Sequence, residues 1–272
     1  MSSYTKLKPA LVLSSVVAAL AVIASAGGLF LEGLYRDNLF VTSAWKGNDL
    51  VTLFVGIPVL VAALIFSRRG SLRAQLVWMG MLDYLLYNYA FYLFGAAFNW
   101  FFLVYVALLA LSILALIFGL VNLDVYAISQ SFSQNTPVKW ISAYMLFVAA
   151  GLTLVYLAQS LGFVFTGQLP GIVTNTGHPT SVVFALDLTL LVPYLLLGAI
   201  WLLKRWPWGY VLAGISTVKG PLYTLVLSVS SLWGARAGVP GVSTEIPLWA
   251  SLTVLGLIAA GLLYGNLRTA GR

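Results

Sequence analysis

Residues 101–121 read FFLVYVALLALSILALIFGLV, an uncharged run that is long enough to cross a bilayer as a helix. A hydrocarbon core of about 30 Å requires about 20 apolar residues in helical form. Similar runs recur along the whole chain, in which 61% of the 272 residues are hydrophobic and only 8% are charged. A soluble fold would leave much of that apolar surface in water. The sequence therefore predicts an all-α integral membrane protein whose first partner is the lipid bilayer.

Prolines, turn residues and charges divide the chain into eight predicted transmembrane helices, two groups of four. We place these spans at residues 10–34, 50–67, 75–98, 100–122, 140–163, 182–203, 208–233 and 247–267. An even number of spans puts both termini on the same side of the membrane.

Lysine and arginine orient the chain, because positive residues accumulate in cytoplasmic loops. With the N-terminus inside, the cytoplasmic basic residues are Lys6, Lys8, Arg68, Arg69, Arg73, Lys139, Lys204, Arg205, Arg268 and Arg272. The outward ones are only Arg36, Lys46 and Arg236. We therefore predict a multi-pass protein of the cell membrane, inner or plasma, with both termini in the cytoplasm. Tryptophans near span ends are expected to anchor the chain at the headgroups; they are Trp45, Trp100, Trp140, Trp206, Trp208 and Trp249.

The two halves of the chain resemble each other, which predicts an internal duplication. The first half carries in order Asp49, Pro58, Arg68-Arg69, Gly80, Asp83 and Tyr87, and the second carries Asp187, Pro193, Lys204-Arg205, Gly214, Lys219 and Tyr223. We predict one four-helix repeat over residues 1–125, a cytoplasmic linker over 126–137 and a second repeat over 138–272. Two sets of four helices enter the membrane in the same direction, so the repeat is parallel. Transporters built from repeats commonly bind substrate between them, near the midplane.

Polar residues concentrate in spans three and seven, where lipid offers no hydrogen-bond partner. At about 100° per residue, one half of span three carries Asp83, Tyr84, Tyr87, Asn88, Tyr92 and Asn99, whereas Tyr89 falls outside it. Span seven carries Ser216, Lys219 and Tyr223, and Asp187 lies near the outer end of span six. These ten residues are the candidate site, as a substrate-binding surface or a proton relay.

Asp83 and Lys219 lie near the middle of their spans, where a charge costs about 2.5–3.5 kcal/mol on insertion scales. The simplest expectation is a pair that faces across the pseudo-twofold axis, with Asp187 close enough to join it. Such a pair has two interpretations. It either fixes how the halves dock, or it belongs to a functional pathway through the membrane.

Composition excludes several classes of function. There is no cysteine, so thiolate metal sites and thiol catalysis are excluded, and the single histidine, His178, leaves haem and zinc with too few ligands. We therefore predict no metal and no cofactor. The basic residues fall in loops as topology signals, so no nucleic-acid partner is expected. Oligomerisation is left open.

The function that these features favour is a transporter or permease for a small molecule or an ion, rather than an enzyme. The alternative is a membrane-embedded enzyme or binding protein for a lipid, a quinone or an isoprenoid, with Asp83 as acid or base. A third alternative is a retinal-binding protein, because an aspartate in span three and a lysine in span seven are similar to the placement in microbial rhodopsins. That resemblance stops at the placement, since the local motifs around Lys219 are missing and eight spans do not match the usual seven.

Overall fold

The computed structural model describes residues 3–268, and that part of the chain is almost entirely helical. Its helices are α1 (Ser3–Phe30), α2 (Leu39–Val51), α3 (Ile57–Arg68), α4 (Leu72–Gly95), α5 (Phe102–Val121), α6 (Val125–Ser131), α7 (Val138–Thr166), α8 (Gly171–Thr176), α9 (Val182–Leu186), α10 (Val192–Leu203), α11 (Pro207–Arg236) and α12 (Ile246–Gly265). Seven helical segments within it are long and apolar enough to cross a membrane. The chain is therefore an all-α, multi-pass membrane protein.

Each predicted span corresponds to one long helical segment, although the ends differ. The second span begins at Leu39 instead of residue 50, because Asn38 caps the helix by accepting the N–H of Val41 (3.0 Å) and the polar residues that follow continue it. The first span ends at Phe30 instead of residue 34. The predicted linker is not all loop, because α6 occupies much of it with Asp124 as its N-cap.

Helix α4 corresponds to the third predicted span, but it is more polar than the seven segments that could cross a membrane and is not one of them. Its 24 residues are long enough, at about 36 Å. It is also well enclosed, since the side chains of Trp78, Tyr84, Tyr87 and Tyr92 are at most 1% exposed. Because protein surrounds this helix, its polar side chains can find partners that lipid would not supply.

Helices α4 and α11 cross closely at Gly80. A Cβ atom on Gly80 would lie 2.7 Å from Val218 Cβ and 3.0 Å from the carbonyl oxygen of Ile215, so any larger residue would push the helices apart. Gly47 of α2 approaches the backbone of Ser230 in the same way on another part of α11. Helix α11 is thus held against both α2 and α4, and this packing positions the polar site.

The corner after α3 has a counterpart after α10. The N–H of Ser71 donates to the carbonyl of Phe66 (3.2 Å), and the N–H of Trp206 donates to the carbonyl of Trp201 (2.9 Å). The second bond lies 135 positions after the first, because its acceptor is residue 201 instead of 66 and its donor is residue 206 instead of 71. In each corner the residue before the donor has a positive φ, 82° in the first and 53° in the second.

Two π-helical turns are also 135 positions apart. The turn Thr52–Gly56 joins α2 to α3, and the turn Asp187–Leu191 joins α9 to α10. Each is followed by a helix whose second residue is proline, Pro58 in one case and Pro193 in the other. Proline has no N–H to donate and its ring crowds the preceding turn, so a wider π turn accommodates it within a continuous helix.

One predicted lipid anchor is wrong. Trp45 is completely buried, its Nε1 donates to Asp37 (3.0 Å), and its ring lies 4.4 Å from that of Tyr92. The prediction failed because α2 begins earlier than expected and carries Trp45 into the protein interior. Trp100 and Trp140, by contrast, are 74% and 75% exposed.

Candidate functional site

Lys219 of α11 faces Asp83 of α4, and the two side chains form the pair that the sequence predicts. Lys219 Nζ lies 3.2 Å from Asp83 Oδ2, and the side chains are 6% and 18% exposed, respectively. Although the two atoms are close, they are not aligned for a hydrogen bond, and Asp83 Oδ2 has no hydrogen-bond partner. Attraction between the two charges, rather than a directed hydrogen bond, holds this contact.

Tyr87 connects this pair to Asp187. Lys219 Nζ lies 4.5 Å from the centroid of the Tyr87 ring, a cation–π contact. The Tyr87 hydroxyl donates to Asp187 Oδ1 (2.7 Å), and the Tyr156 hydroxyl of α7 donates to Asp187 Oδ2 (2.7 Å). Tyr223 packs its edge against Tyr87 at 4.9 Å. Asp187 therefore joins the site, with one tyrosine hydroxyl on each carboxylate oxygen.

Asp49 of α2 has the same arrangement. Tyr92 of α4 donates to Asp49 Oδ1 (2.9 Å), and Tyr35 donates to Asp49 Oδ2 through a short hydrogen bond. Burial, followed by the nearby Asp49 charge, raises the pKa of Tyr35 in its loop well above the usual value, so this hydroxyl remains a donor. We call each aspartate with its two tyrosines a tyrosine clamp: Asp49 with Tyr35 and Tyr92, and Asp187 with Tyr87 and Tyr156.

A smaller set of polar side chains links α2 to α4 beside the first clamp. The hydroxyls of Thr52 and Tyr84 lie 2.7 Å apart, and the Asn48 amide donates to Asn88 Oδ1 through a short hydrogen bond. Thr52 is the first residue of the π-helical turn. Tyr84 and Asn88, two of the predicted site residues, thus contact α2 through Thr52 and Asn48.

We call the two clamps, the Asp83–Lys219 pair and the polar set between α2 and α4 the polar network. Two predicted site residues lie outside it. Asn99 binds the backbone of its own loop, accepting the N–H of Phe101 (2.9 Å) and donating to the carbonyl of Ala97 (3.1 Å). Helix α4 ends at Gly95, so helical periodicity does not extend to Asn99. Ser216 donates to the carbonyl of Ala213 (3.1 Å) within its own helix.

Five network residues were missed among the predicted site residues: Tyr35, Asn48, Asp49, Thr52 and Tyr156. Asp49 had a usable signal, because it comes first in the ordered residues of the first half as Asp187 does in the second, although the π-helical turns align Asp187 with Thr52. Tyr35 and Tyr156 had none, since Tyr35 lies in a loop, where polar residues are usual, and Tyr156 lies on α7, away from the polar spans. Only the tertiary fold brings them to an aspartate.

The network has a surplus of negative charge. It contains three carboxylates, on Asp49, Asp83 and Asp187, and two ammoniums, that of Lys219 beside Tyr87 and that of Lys46, which lies 5.9 Å from the Tyr35 ring centroid. Along α4 it extends from Asp83 to Tyr92, about 14 Å at the helical rise. This is the C-terminal part of α4, which the predicted orientation places toward the outside.

The N-terminal part of α4 is closed by apolar packing. Leu76, Trp78 and Met79 are completely buried, and the Trp78 indole N–H donates to the hydroxyl of Ser14 (2.8 Å). At the other end a cavity of about 10 Å³ lies beside the first clamp. Its lining includes Tyr92, Asn99 and Tyr105. The site is therefore compact and leads toward one end of α4.

No known protein family, curated protein or solved structure matches this chain. Within the described residues, no group of three or more histidine, aspartate or glutamate side chains could hold a metal ion.

Proposed function

We propose that this protein is a transporter for an ion or a small cationic solute, which moves along the polar face of α4 between two four-helix halves. The observation that carries the proposal is the pair of tyrosine clamps, each of which shares helix α4 with the Asp83–Lys219 pair. Ionisable groups inside a membrane are costly and typically mark substrate, ion or proton pathways. Asp49 and Asp187 are buried and Asp83 is partly exposed. These three carboxylates outnumber the ammoniums of Lys219 and Lys46, which favours a positively charged cargo because a cation would compensate the surplus.

The proposal includes α4 as an eighth span. Helices α3 and α5 on either side of it are apolar enough to cross the membrane. Only residues 69–71 separate α3 from α4, so α4 starts at the membrane face where α3 ends. A helix of about 36 Å that packs beside both neighbours then reaches the opposite face. The polar network would in this way extend from the middle of the bilayer to one surface.

The proposal also includes a parallel duplication, with repeats over residues 1–125 and 138–272. The equivalent corners and π-helical turns support it. So do the ends of α5 and α12, where Asn122 Nδ2 donates to the carbonyl of Phe118 (2.9 Å) and Asn266 Nδ2 donates to the carbonyl of Leu262 (2.8 Å). Repeats of this kind form a substrate site at their interface, which here would lie between α4 and α11.

Movement of cargo would require the closed side of the network to open. The close crossing at Gly80 and the apolar packing of Leu76, Trp78 and Met79 form the barrier on that side. The two π-helical turns lie in the second helical segment of each half, where an interrupted hydrogen-bond ladder allows bending. Rocking of one half against the other is the motion that such a design favours.

The test is transport by the purified protein in liposomes. We would measure uptake of radiolabelled sodium, potassium and small organic cations, and movement of protons with an enclosed pH-sensitive dye. Asp187→Asn should abolish the uptake that the wild type shows. The matched control is Asp124→Asn, because Asp124 caps α6 at the surface and asparagine caps equally well. A wild type that moves none of these ions and solutes above empty liposomes contradicts the proposal.

A second candidate is a binding protein for a lipid, quinone or isoprenoid, and one observation favours it. A cavity of about 290 Å³ is lined by Val125, Tyr126, Trp201, Trp206, Pro207 and Trp208. Lys204 Nζ lies 4.9 Å from the centroid of a Trp206 ring, which places a positive charge beside this aromatic surface. Mass spectrometry of the purified protein would identify a co-extracted lipid, and Trp201→Ala should release it.

A further inference from the structure

We infer that the clamp of Asp49, Tyr35 and Tyr92 is a proton-binding site that opens toward the outer side of the membrane. This inference rests on the proposed transport function and makes the proton the ion that is moved or that drives movement. Asp49 is 2% exposed, and each of its carboxylate oxygens accepts one tyrosine hydroxyl. Within the described residues it forms no salt bridge.

The charged groups closest to Asp49 are already engaged elsewhere. On its own helix, Lys46 Nζ donates to the carbonyls of Gly28 (2.6 Å) and Leu29 (3.0 Å) at the end of α1. In the loop before α2, Asp37 accepts Trp45 Nε1 and the N–H of Ala97. Neither group binds Asp49.

The other titratable groups around Asp49 are tyrosines. They are Tyr35 from the loop, Tyr84, Tyr89 and Tyr92 from α4, and Tyr105 from α5. At its approach to α2, helix α11 presents Ser230, whose hydroxyl donates to the carbonyl of Ala44 (3.0 Å). Lys46 Nζ lies 5.9 Å from the centroid of the Tyr35 ring, and beside Asp187 the ammonium of Lys219 lies 4.5 Å from the centroid of the Tyr87 ring. Asp49 is thus held by two tyrosine hydroxyls and, within the described residues, forms no salt bridge with a cation.

The hydrogen bonds of Tyr92 provide a way to accept the proton. Its hydroxyl lies 2.9 Å from Asp49 Oδ1 and 3.2 Å from the carbonyl oxygen of Trp45. When a proton binds Oδ1, the new carboxyl O–H donates to the Tyr92 oxygen, and the Tyr92 hydrogen turns to the Trp45 carbonyl. One proton enters, no covalent bond besides the new O–H forms, and every polar hydrogen keeps an acceptor. Release reverses these steps.

The cavity beside Tyr92 gives a route for the proton. Its volume of about 10 Å³ is close to what one water molecule requires. Tyr105 also lines it, and the hydroxyl of Tyr105 is buried without a hydrogen-bond partner. A water in this cavity could bond to both tyrosines and deliver a proton, whereas a hydrated metal ion is too large to enter.

A bare metal ion fits the clamp less well than a proton. Sodium or another hard cation needs several oxygen lone pairs directed at it. Even when the Tyr92 hydrogen turns to the Trp45 carbonyl, the clamp offers such a cation only Asp49 Oδ1 and the Tyr92 oxygen, because Oδ2 still accepts the Tyr35 hydroxyl. The chemistry of the clamp therefore favours the proton over other monovalent cations.

The direct test is infrared difference spectroscopy of the purified full-length protein between acidic and alkaline pH. The wild type should show a carbonyl band from a protonated carboxylic acid that Asp49→Asn lacks and the surface control Asp124→Asn retains. Tyr92→Phe should shift that band, because it removes the hydroxyl that exchanges donor and acceptor roles. If Asp49→Asn fails to fold, the shift of the carbonyl band in Tyr92→Phe is the test of the inference. A wild-type band that neither variant changes overturns the inference.

Liposomes separate the inference from the proposed function. Uptake that a pH gradient drives in the wild type and not in Tyr92→Phe supports both. Solute or metal-ion uptake that ignores the pH gradient and is unchanged in Tyr92→Phe overturns the proton site and leaves the transporter in place. A titrating Asp49 band without any transport supports the proton site and rejects the transporter.

Discussion

The ammonium of Lys219 lies between the carboxylate of Asp83, at 3.2 Å, and the ring of Tyr87, at 4.5 Å to its centroid. Both contacts are to α4, so this one side chain of α11 couples the two central helices of the fold. Removing one member of the pair leaves the other charge in a poorly solvated place.

We expect the Asp83–Lys219 pair to behave as a coupled unit. Asp83→Asn or Lys219→Met alone should cost up to about 3–5 kcal/mol, the range for one partner of a buried pair, with the lower part expected because Asp83 is partly exposed. The double variant should be more stable than the sum of the single changes predicts. Thermal unfolding of the purified variants measures this. Additive effects would show that the two side chains do not interact.

Activity of the same double variant separates the two interpretations of the pair. If the double variant is stable and transports normally, the pair only fixes how α4 and α11 dock. If it is stable and inactive, the pair belongs to the transport pathway. The exchanged pair, Asp83→Lys with Lys219→Asp, should recover stability over either single change, because the opposite charges remain in contact.

The tyrosine clamps should contribute more to stability than tyrosines of equal burial that lack a partner. Tyr156→Phe removes one of the two donors to Asp187, which should cost about 1–3 kcal/mol because a buried carboxylate oxygen is left unpaired. The matched control is Tyr144→Phe on the same helix, because Tyr144 is partly buried like Tyr156 and its hydroxyl forms no hydrogen bond within the described residues. That change should be neutral or slightly stabilising. Equal effects of the two variants on the unfolding temperature would contradict the role of the clamp.

Gly28 should tolerate no side chain. A Cβ atom there would collide with Asp49 Oδ2 and with the Tyr35 hydroxyl, so Gly28→Ala must displace the first clamp. We expect a lower unfolding temperature and loss of the infrared band assigned to Asp49. Gly261→Ala on α12 is the control, because nothing lies within 4 Å of its Cβ position and alanine favours a helix by about 0.5–1 kcal/mol. A Gly28→Ala protein as stable as wild type would mean that α1 does not pack on the clamp.

The topology can be tested without background labelling, because the chain has no cysteine. Asn135→Cys lies in the exposed loop between α6 and α7, and Ala237→Cys lies in the exposed loop after α11. With cytoplasmic termini, an impermeant maleimide added to intact cells should label Ala237→Cys and leave Asn135→Cys unlabelled. The reverse pattern would invert the predicted orientation, and with it the side to which the first clamp opens.

The sequence alone determined the membrane class and the rough positions of the helices, because bilayer thickness sets how many apolar residues a span needs. It also determined most of the polar face of α4, since helical periodicity places Asp83, Tyr87 and Tyr92 on neighbouring turns. The pairing of Asp83 with Lys219 followed from a simple rule: central charges inside a membrane require partners.

Tertiary structure alone decided which side chains complete the two clamps. Tyr35 comes from a loop and Tyr156 from α7, and neither local sequence marks them as ligands of an aspartate. Periodicity describes one helix at a time, whereas a clamp depends on how separate helices pack. That packing is set by close approaches such as the one at Gly80, which brings α11 against α4 and decides which polar groups meet.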